Sequence, residues 1–147
     1  MLPGKRLEKR NMLDGDRPFI GASDSNNGVT GFVDNKNTSL DRCVLGVNYN
    51  GSVCEAFYHD YECIFSDDVK RLHLKNHDDN RFIMLFMGVA IRQQKTKYQY
   101  AYKFNEQRMN RQSILLPVTE DGEPDYDFME LFGKSLMRAK YEQYLAY

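Results

Sequence analysis

The sequence predicts a mixed α/β fold of the α+β type: a twisted, largely antiparallel sheet with a buried helix, followed by a C-terminal helix. Three observations carry that expectation. Short β-branched and aromatic runs alternate with turn residues through the first half of the chain. A wide apolar pattern at helical spacing follows, between residues 81 and 91. From Pro124 onward apolar residues recur at helical spacing again. The chain has 147 residues, with 41% hydrophobic and 28% charged. That is an ordinary globular balance, and a chain of this length buries roughly 70% of the surface it exposes when unfolded.

Residues 1–17 are polar and basic, opening on Gly4-Lys5-Arg6-Leu7 and reaching a turn at Leu13-Asp14-Gly15-Asp16. So short a lead-in before a strand is expected of a piece of something longer. Pro18-Phe19-Ile20-Gly21 reads as the start of a buried strand. It runs into Ala22-Ser23-Asp24-Ser25-Asn26-Asn27-Gly28, small polar residues able to take turn or left-handed conformations. Val29-Thr30-Gly31-Phe32-Val33 alternates as a strand, and residues 34–39 make another polar loop. Residues 43–49 are the next strand. Asn50-Gly51 is the strongest short-range hairpin dipeptide, and residues 52–59 return. Residues 61–65 and 69–74 extend the β region on either side of the Ser66-Asp67-Asp68 turn, so a meander of several strands is expected.

Asp78-Asp79-Asn80 carry side-chain oxygens able to cap a helix that begins near Arg81. Phe82, Ile83, Leu85, Phe86, Val89, Ala90 and Ile91 make that helix apolar over a wide arc, which predicts a buried helix. Beyond the basic stretch that follows it, residues 113–118 read as a short buried strand and residues 119–123 as an acidic loop. Pro124-Asp125 opens the last helix, where proline and acids are favoured. Its stripe of Met129, Phe132, Leu136 and Ala139 continues through Tyr144 and Leu145. A stripe kept to the end invites a partner helix; docking on its own domain is the alternative.

The net charge of −1 gives no global basic field, but the charge is segregated. Residues 1–17 sum to +2 and residues 92–118 to +5, whereas residues 18–91 and 119–147 each sum to −4. Within residues 92–111, Arg92, Lys95, Lys97, Lys103, Arg108 and Arg111 face the single anion Glu106. Tyr98, Tyr100 and Tyr102 alternate there and would share one face of an extended segment. Cations interleaved with rings and amides suit a nucleic acid, meeting phosphates, bases and base edges respectively. A solvated strand whose tyrosines pack on the core explains the same pattern. A fold that brought the two basic segments together would make one positive face.

Chemistry is sparse. Cys43, Cys54 and Cys63 are odd in number, lack C-x-x-C spacing and sit in apolar surroundings, which predicts buried free thiols in a reducing, cytoplasmic setting. His59, His73 and His77 form no zinc pattern with them, and no membrane span or signal peptide is evident. Gly133-Lys134-Ser135 resembles the end of a phosphate-binding loop, but the first glycine of that motif would fall on Phe128. The four prolines are never adjacent, so no Asn-Pro-Pro-aromatic or Asp-Pro-Pro-aromatic motif exists. With no Gly-rich cofactor loop either, a complete amino-methyltransferase is excluded, and no cofactor, metal or catalytic residue is expected. A rival from the enzyme class is a Mg²⁺ endonuclease built on Asp68-Val69-Lys70 with Asp60 or Glu62. A third reading makes the C-terminal helix the centre of a protein-interaction module.

Several stretches together resemble one family. They are Gly4-Lys5-Arg6-Leu7, Gly15-Asp16-Arg17-Pro18-Phe19-Ile20 and Gly21-Ala22-Ser23 through Asn26-Asn27-Gly28-Val29-Thr30-Gly31. Val47-Asn48-Tyr49-Asn50-Gly51-Ser52-Val53, Ala56-Phe57-Tyr58, Phe65-Ser66-Asp67-Asp68-Val69 and Lys97-Tyr98-Gln99-Tyr100 follow. Leu116-Pro117 before Gly122-Glu123-Pro124-Asp125-Tyr126-Asp127-Phe128-Met129 completes the set. In order and spacing they are similar to the target recognition domain of restriction-modification specificity subunits, of type I and of the related type IIB or IIG kind.

The resemblance implies a non-catalytic domain that reads about half of a bipartite double-stranded DNA target. It also implies a following helix that pairs with a second one to form a spacer, where methyltransferase subunits bind. On that basis residues 1–123 are the recognition domain and residues 124–147 begin the spacer or dimerisation helix. The DNA-binding set expected is Lys5, Arg6, Ser23, Ser25, Asn26, Asn27, Tyr49, Asn50, Lys97, Tyr98, Tyr100, Lys103 and Arg108. In it the basic segments meet phosphates, and the regions 23–27 and 98–102 lie near bases. Partners are double-stranded DNA, a DNA methyltransferase subunit and a second copy through the C-terminal helix, with no membrane. Two departures stand out. The family usually has glycine after Gly-Ser-Val, whereas Cys54-Glu55 stands here; and one recognition unit is present where a full subunit has two. A half-subunit that dimerises, a piece cut from a longer chain and a decayed reading frame all fit the latter.

Overall fold

The most buried strand is β4, Val44–Asn48, in which all five residues are buried. A near-continuous apolar run without charges suits a position covered on both faces. It pairs antiparallel with β5, Ala56–His59, on one side and with β7, Val69–Leu72, on the other. The short β1, Leu2–Pro3, adds antiparallel to β7, giving a four-stranded sheet in the order β1-β7-β4-β5. A second sheet, β3-β2-β6, comprises β2 (Asp14–Ile20), β3 (Val29–Val33) and β6 (Ile64–Phe65). Its β2–β3 pair is antiparallel, and its β2–β6 pair is parallel, with Phe19 opposite Ile64. The structure, a computed structural model, describes residues 1–98 and 104–147. The α+β class and the largely antiparallel pairing are as predicted.

Helix α1, Arg81–Arg92, lies on the larger sheet. Asn80 Oδ1 caps it, accepting from the N–H groups of Phe82 at 2.9 Å and Ile83 at 3.4 Å. Its buried residues, Met84 and Ile91 among them, close one cluster with Leu45, Val47, Ala56 and Phe104. Gly88 lets the helix come close: a Cβ there would stand 3.3 Å from Leu45 Cδ1. Between the sheets, Ile20, Val44, Cys63, Phe65 and Val69 form a second cluster.

Helix α3, Tyr126–Leu145, is capped by Asp125, whose Oδ1 accepts from the Phe128 N–H at 2.9 Å. It crosses α1 through Gly133, set against Phe82, and through an edge-to-face contact of Phe86 with Phe132. Only Met129 of this helix is fully buried, and Leu131, Leu136, Tyr144 and Leu145 are exposed. Among the described residues no helix is long and apolar enough to cross a membrane. The three cysteines are free, as the spacing predicted, and Cys54 and Cys63 are buried, but Cys43 is only half-buried, against the expectation that all three would be.

Four expectations are corrected. The hairpin is real, but its return strand begins at Ala56, not at residue 52. The connection is longer because its backbone bonds elsewhere: Tyr49 N–H to the Asp68 carbonyl (3.1 Å) and Ser52 N–H to the Ala22 carbonyl (3.4 Å). The meander gives way to two sheets, since β6 leaves β5 to pair with β2. The basic stretch is not extended where it is described. Residues Lys95–Lys97 form a 3₁₀ turn and Glu106–Arg111 form helix α2, capped by Asn105 Oδ1. Residues 113–118 are no buried strand: Leu115 is 94% exposed, and Val118 makes one isolated bridge, with Pro124.

A candidate nucleic-acid interface of converging loops

Polar loops from both sheets meet at one end of β4. Asn48, 1% exposed, donates from Nδ2 to the Ser23 carbonyl at 2.9 Å and so holds the 22–28 loop to the larger sheet. Gly51, with φ +62°, passes so close to Ala22 that a Cβ would stand 3.0 Å from its carbonyl oxygen. Asn50 Nδ2 donates to Asp68 Oδ1 at 2.8 Å, which adds the 66–68 turn. The N-terminal segment arrives on the same turn: Lys5 N–H donates to the Phe65 carbonyl at 2.8 Å. Arg6, Lys9, Arg10, Asn50, Asp67 and Asp68 then border a shared groove of about 910 Å³.

The basic stretch is tied to the same hairpin at two places. At one, Glu55 is buried with a side chain 6% exposed, and receives Lys95 Nζ on Oε1 at 2.5 Å. Arg92 Nε lies 3.1 Å from its Oε2, yet that oxygen accepts no hydrogen bond among the described residues. The guanidinium is close without being aligned, so the contact is one of charge. At the other, Lys70 of β7, side chain 7% exposed, sits 4.9 Å from the Tyr49 ring centroid and donates to Glu106 Oε2 of α2 at 2.7 Å. That bond and the lysine's charge hold the exposed Glu106 carboxyl below the usual range. Strand β7 therefore joins both basic segments, β1 along its edge and α2 through Lys70.

The structure sorts the expected DNA-binding residues. Lys5, Arg6, Asn26 and Asn50 are exposed in the loop cluster, and Tyr49 is half-buried there. Ser23 and Ser25 hydroxyls are bonded to each other at 3.0 Å. Asn27 is exposed, and its amide donates to Tyr61 Oη at 3.1 Å and to the Tyr58 carbonyl at 3.4 Å. Lys97 is exposed and donates to Gln94 Oε1 at 2.5 Å. Arg108 lies on α2 and is half-buried. Tyr98 is a correction: it is 9% exposed, packs on Phe104 with centroids 4.4 Å apart and donates its hydroxyl to Gln112. An aromatic ring next to an apolar core gains more by burial than by waiting for a base. Tyr100 and Lys103 lie outside the described residues.

Sequence reasoning missed Asn48, Tyr61 and the structural role of Lys70. Asn48 inside an apolar strand was the readable signal, because a buried amide needs a partner. The endonuclease set is not assembled. Asp68 accepts from Asn50, Asp60 stands 3.7 Å from Arg81, Glu62 pairs with Arg17 at 3.1 Å, and Lys70 is engaged by Glu106. Among the described residues, no group of three His, Cys, Asp or Glu side chains is arranged to hold a metal ion.

A separate charged cluster stitches the far side of the sheet. Arg71 donates to Asp41 Oδ2 at 2.8 Å and to the carbonyls of Pro3 and Thr38. His73 lies between Asp41, 3.1 Å from its Nε2, and Asp79 at its Nδ1. Burial alone would push the His73 pKa down, but bonds to Asp79 and Asp41 outweigh it and raise it. For Asp41 burial pushes up, while His73, the Arg42 N–H and Arg71 bring it below the ordinary value.

Two small sheets, loops gathered at one end of the central strand and a long trailing helix define the fold class of this domain. The chain belongs to the family described as the type I restriction modification DNA specificity domain, whose profile matches residues 3–144. It is 60% identical over 129 residues to the specificity subunit S.BcgI of a type II restriction enzyme from Heyndrickxia coagulans. That match takes in 88% of this chain and 38% of the relative, so the chain spans well under half the relative's length. The fold is similar to the HsdS subunit from Thermoanaerobacter tengcongensis (TM-score 0.62, 12% identity, 94% of this chain and 34% of that one). It also resembles the type I restriction-modification S subunit from M. genitalium, with TM-score 0.52 and 21% identity, over 98% of this chain and 37% of that one.

Proposed function

We propose that the chain is a sequence-specific, double-stranded DNA recognition module of a restriction-modification system. Itself non-catalytic, it directs methyltransferase and endonuclease subunits to a half-site. The observation that carries the reading is the convergence of the 22–28 loop, the hairpin loop and the basic stretch in a chain of the DNA specificity domain family. Residues 1–123 form the recognition domain. Lys5, Arg6, Lys97, Lys103 and Arg108 meet phosphates, which set position and salt dependence, while Ser25, Asn26 and Asn50 lie near base edges, which set sequence. The reading also assigns Tyr100 to the bases. Tyr49, held under Lys70, shapes the floor. The working compartment is the cytoplasm.

Residues 124–147 are the assembly element. Leu136 is 54% exposed and borders an apolar groove of about 610 Å³ between α1 and α3, with Leu85, Val89 and Leu115. A second copy of α3, antiparallel about a two-fold axis, covers this face and yields a dimer that reads two half-sites. The methyltransferase subunit docks on the paired helices.

Selection from a random duplex pool, with and without a methyltransferase partner, tests the recognition reading. Enrichment of one defined half-site is expected. No enrichment, or Mg²⁺-dependent cleavage that disappears in Asp68→Ala, overturns it.

A further inference from the structure

The 22–28 loop follows an unusual path. Asn26 and Asn27 have φ of 50° and 54°, and Gly28 follows at 75°. Two successive non-glycine residues in the left-handed region are uncommon, and they persist only where surroundings hold them. Here backbone bonds close the loop, Gly21 N–H to the Gly28 carbonyl and Gly28 N–H to the Ser25 carbonyl, and side chains and packing fasten it further. Asn48 grips the Ser23 carbonyl at one end. Gly28 is packed at the other, where a Cβ would stand 3.2 Å from Ile20 Cγ2 and 3.4 Å from Phe57. Between them, Asn27 reaches down to Tyr61 Oη.

Tyr61 is itself anchored. Its hydroxyl lies 3.1 Å from Nδ1 of His59, which is fully buried between Tyr61 and Phe65. Asn27 donates to the tyrosine oxygen, and that same oxygen shares a hydrogen bond with Nδ1 of the neutral imidazole. Burial keeps that ring neutral, with its pKa lowered to about 4. The chain of contacts runs from the interior of the larger sheet to the tip of the loop. Asn27 and the neighbouring Asn26 are both exposed; Asn27 is tethered, whereas the Asn26 side-chain amide makes no hydrogen bond among the described residues.

We infer that Tyr61 and His59 are positioning residues which hold the loop in its left-handed path so that Asn26 presents its amide to a base edge. This inference depends on the DNA-recognition reading above. An asparagine amide is both donor and acceptor and can bond an adenine edge in bidentate fashion, but only if its backbone is held in place. The relay supplies that fixity from a buried source and touches no DNA.

The test is duplex selection with the full chain, followed by titration of the selected duplex against duplexes altered one base pair at a time. Asn26→Ala is expected to lose about tenfold or more of the discrimination at one or two base positions. Tyr61→Phe should relax the same positions, and the double variant should relax them no further. Affinity for non-selected duplex, and its salt slope, should stay at the wild-type value in each. Asn27→Gly, which keeps left-handed freedom but deletes the tether, repeats the experiment should Tyr61→Phe fold poorly. The inference is overturned if either tether variant keeps the wild-type base preference, or weakens binding to all duplexes equally. A wild-type chain that enriches no sequence removes the recognition reading itself, a result distinct from variants that merely match the wild type.

Discussion

Replacing Glu55 by Gln removes one charge from the hairpin while keeping the side chain's length. The carboxylate is 6% exposed and faces two cations, Lys95 Nζ at 2.5 Å and Arg92 Nε at 3.1 Å, each about half exposed. Two unit charges about 4 Å apart interact by roughly 4 kcal/mol at an effective dielectric near 20. That figure is an upper bound, because half-exposed partners are screened and rehydrate once released, and because burying the carboxylate costs several kcal/mol to begin with. The net loss is therefore about 1–2 kcal/mol, a fall of roughly 3–6 °C in Tm for a chain of this size. The same substitution frees Arg92 and Lys95 for phosphates. Plotting log K for duplex binding against log salt, Glu55→Gln should steepen the slope by up to about 0.9 per released cation. Thermal unfolding and a salt titration of the one variant decide the matter. An unchanged Tm with an unchanged slope would show that Glu55 neither anchors nor neutralises the basic stretch.

Gly133→Leu forces side-chain atoms onto Phe82, whose Cβ would stand 2.9 Å from the new Cβ. Overpacking of about 1–3 kcal/mol exceeds the gain in helix propensity of up to about 1 kcal/mol, so the urea midpoint falls; a midpoint at or above wild type contradicts the α1–α3 packing. Stability should decline on both sides of an optimum near neutrality. His59, lowered to about 4 by burial, stabilises fully above its unfolded value near 6.5, and loses on the order of 3 kcal/mol as pH falls toward 4. His73, raised by Asp79 and Asp41 against its burial, stabilises below its unfolded value, and that contribution is lost as pH rises through the folded one. Urea midpoints from pH 4 to 9 should lose their alkaline decline in His73→Gln, and a flat profile in the wild type argues against both assignments. Leu136→Glu should abolish self-association in sedimentation at high micromolar concentration while leaving duplex binding per monomer intact; a wild type that is monomeric throughout removes the homodimer. Lys97→Ala should weaken binding to all duplexes alike and reduce the salt slope by about one, and altered base preference with the slope unchanged would reassign it.

Local chemistry was legible wherever the determining forces are local. Asn80 caps its helix as its side chain predicts, because a cap is settled within four residues. The apolar strand over residues 44–48, the free cysteines and the left-handed tendency of Asn26-Asn27-Gly28 were readable for the same reason. The order of the family's short motifs pointed to the DNA specificity domain before any geometry was known, and the profile over residues 3–144 agrees with it.

What the residues alone determined, then, is which segments are apolar, where helices start and which loops are polar, since each depends on neighbours in the chain. Tertiary structure decided the use of those segments. Tyr98 reads like an interface ring at the end of a basic run, yet Phe104 and Gln112 draw it inward. Arg92 and Lys95 read as free cations, yet Glu55, some forty residues earlier, takes both. Asp68-Val69-Lys70 reads as a metal-nuclease fragment until Asn50 and Glu106 claim its two ends. Asn27 and Asn26 are chemically identical, exposed neighbours, and only Asn27 reaches Tyr61. Charge pairs and buried hydrogen bonds are fixed by distance in space, which sequence spacing does not encode until the sheets have paired.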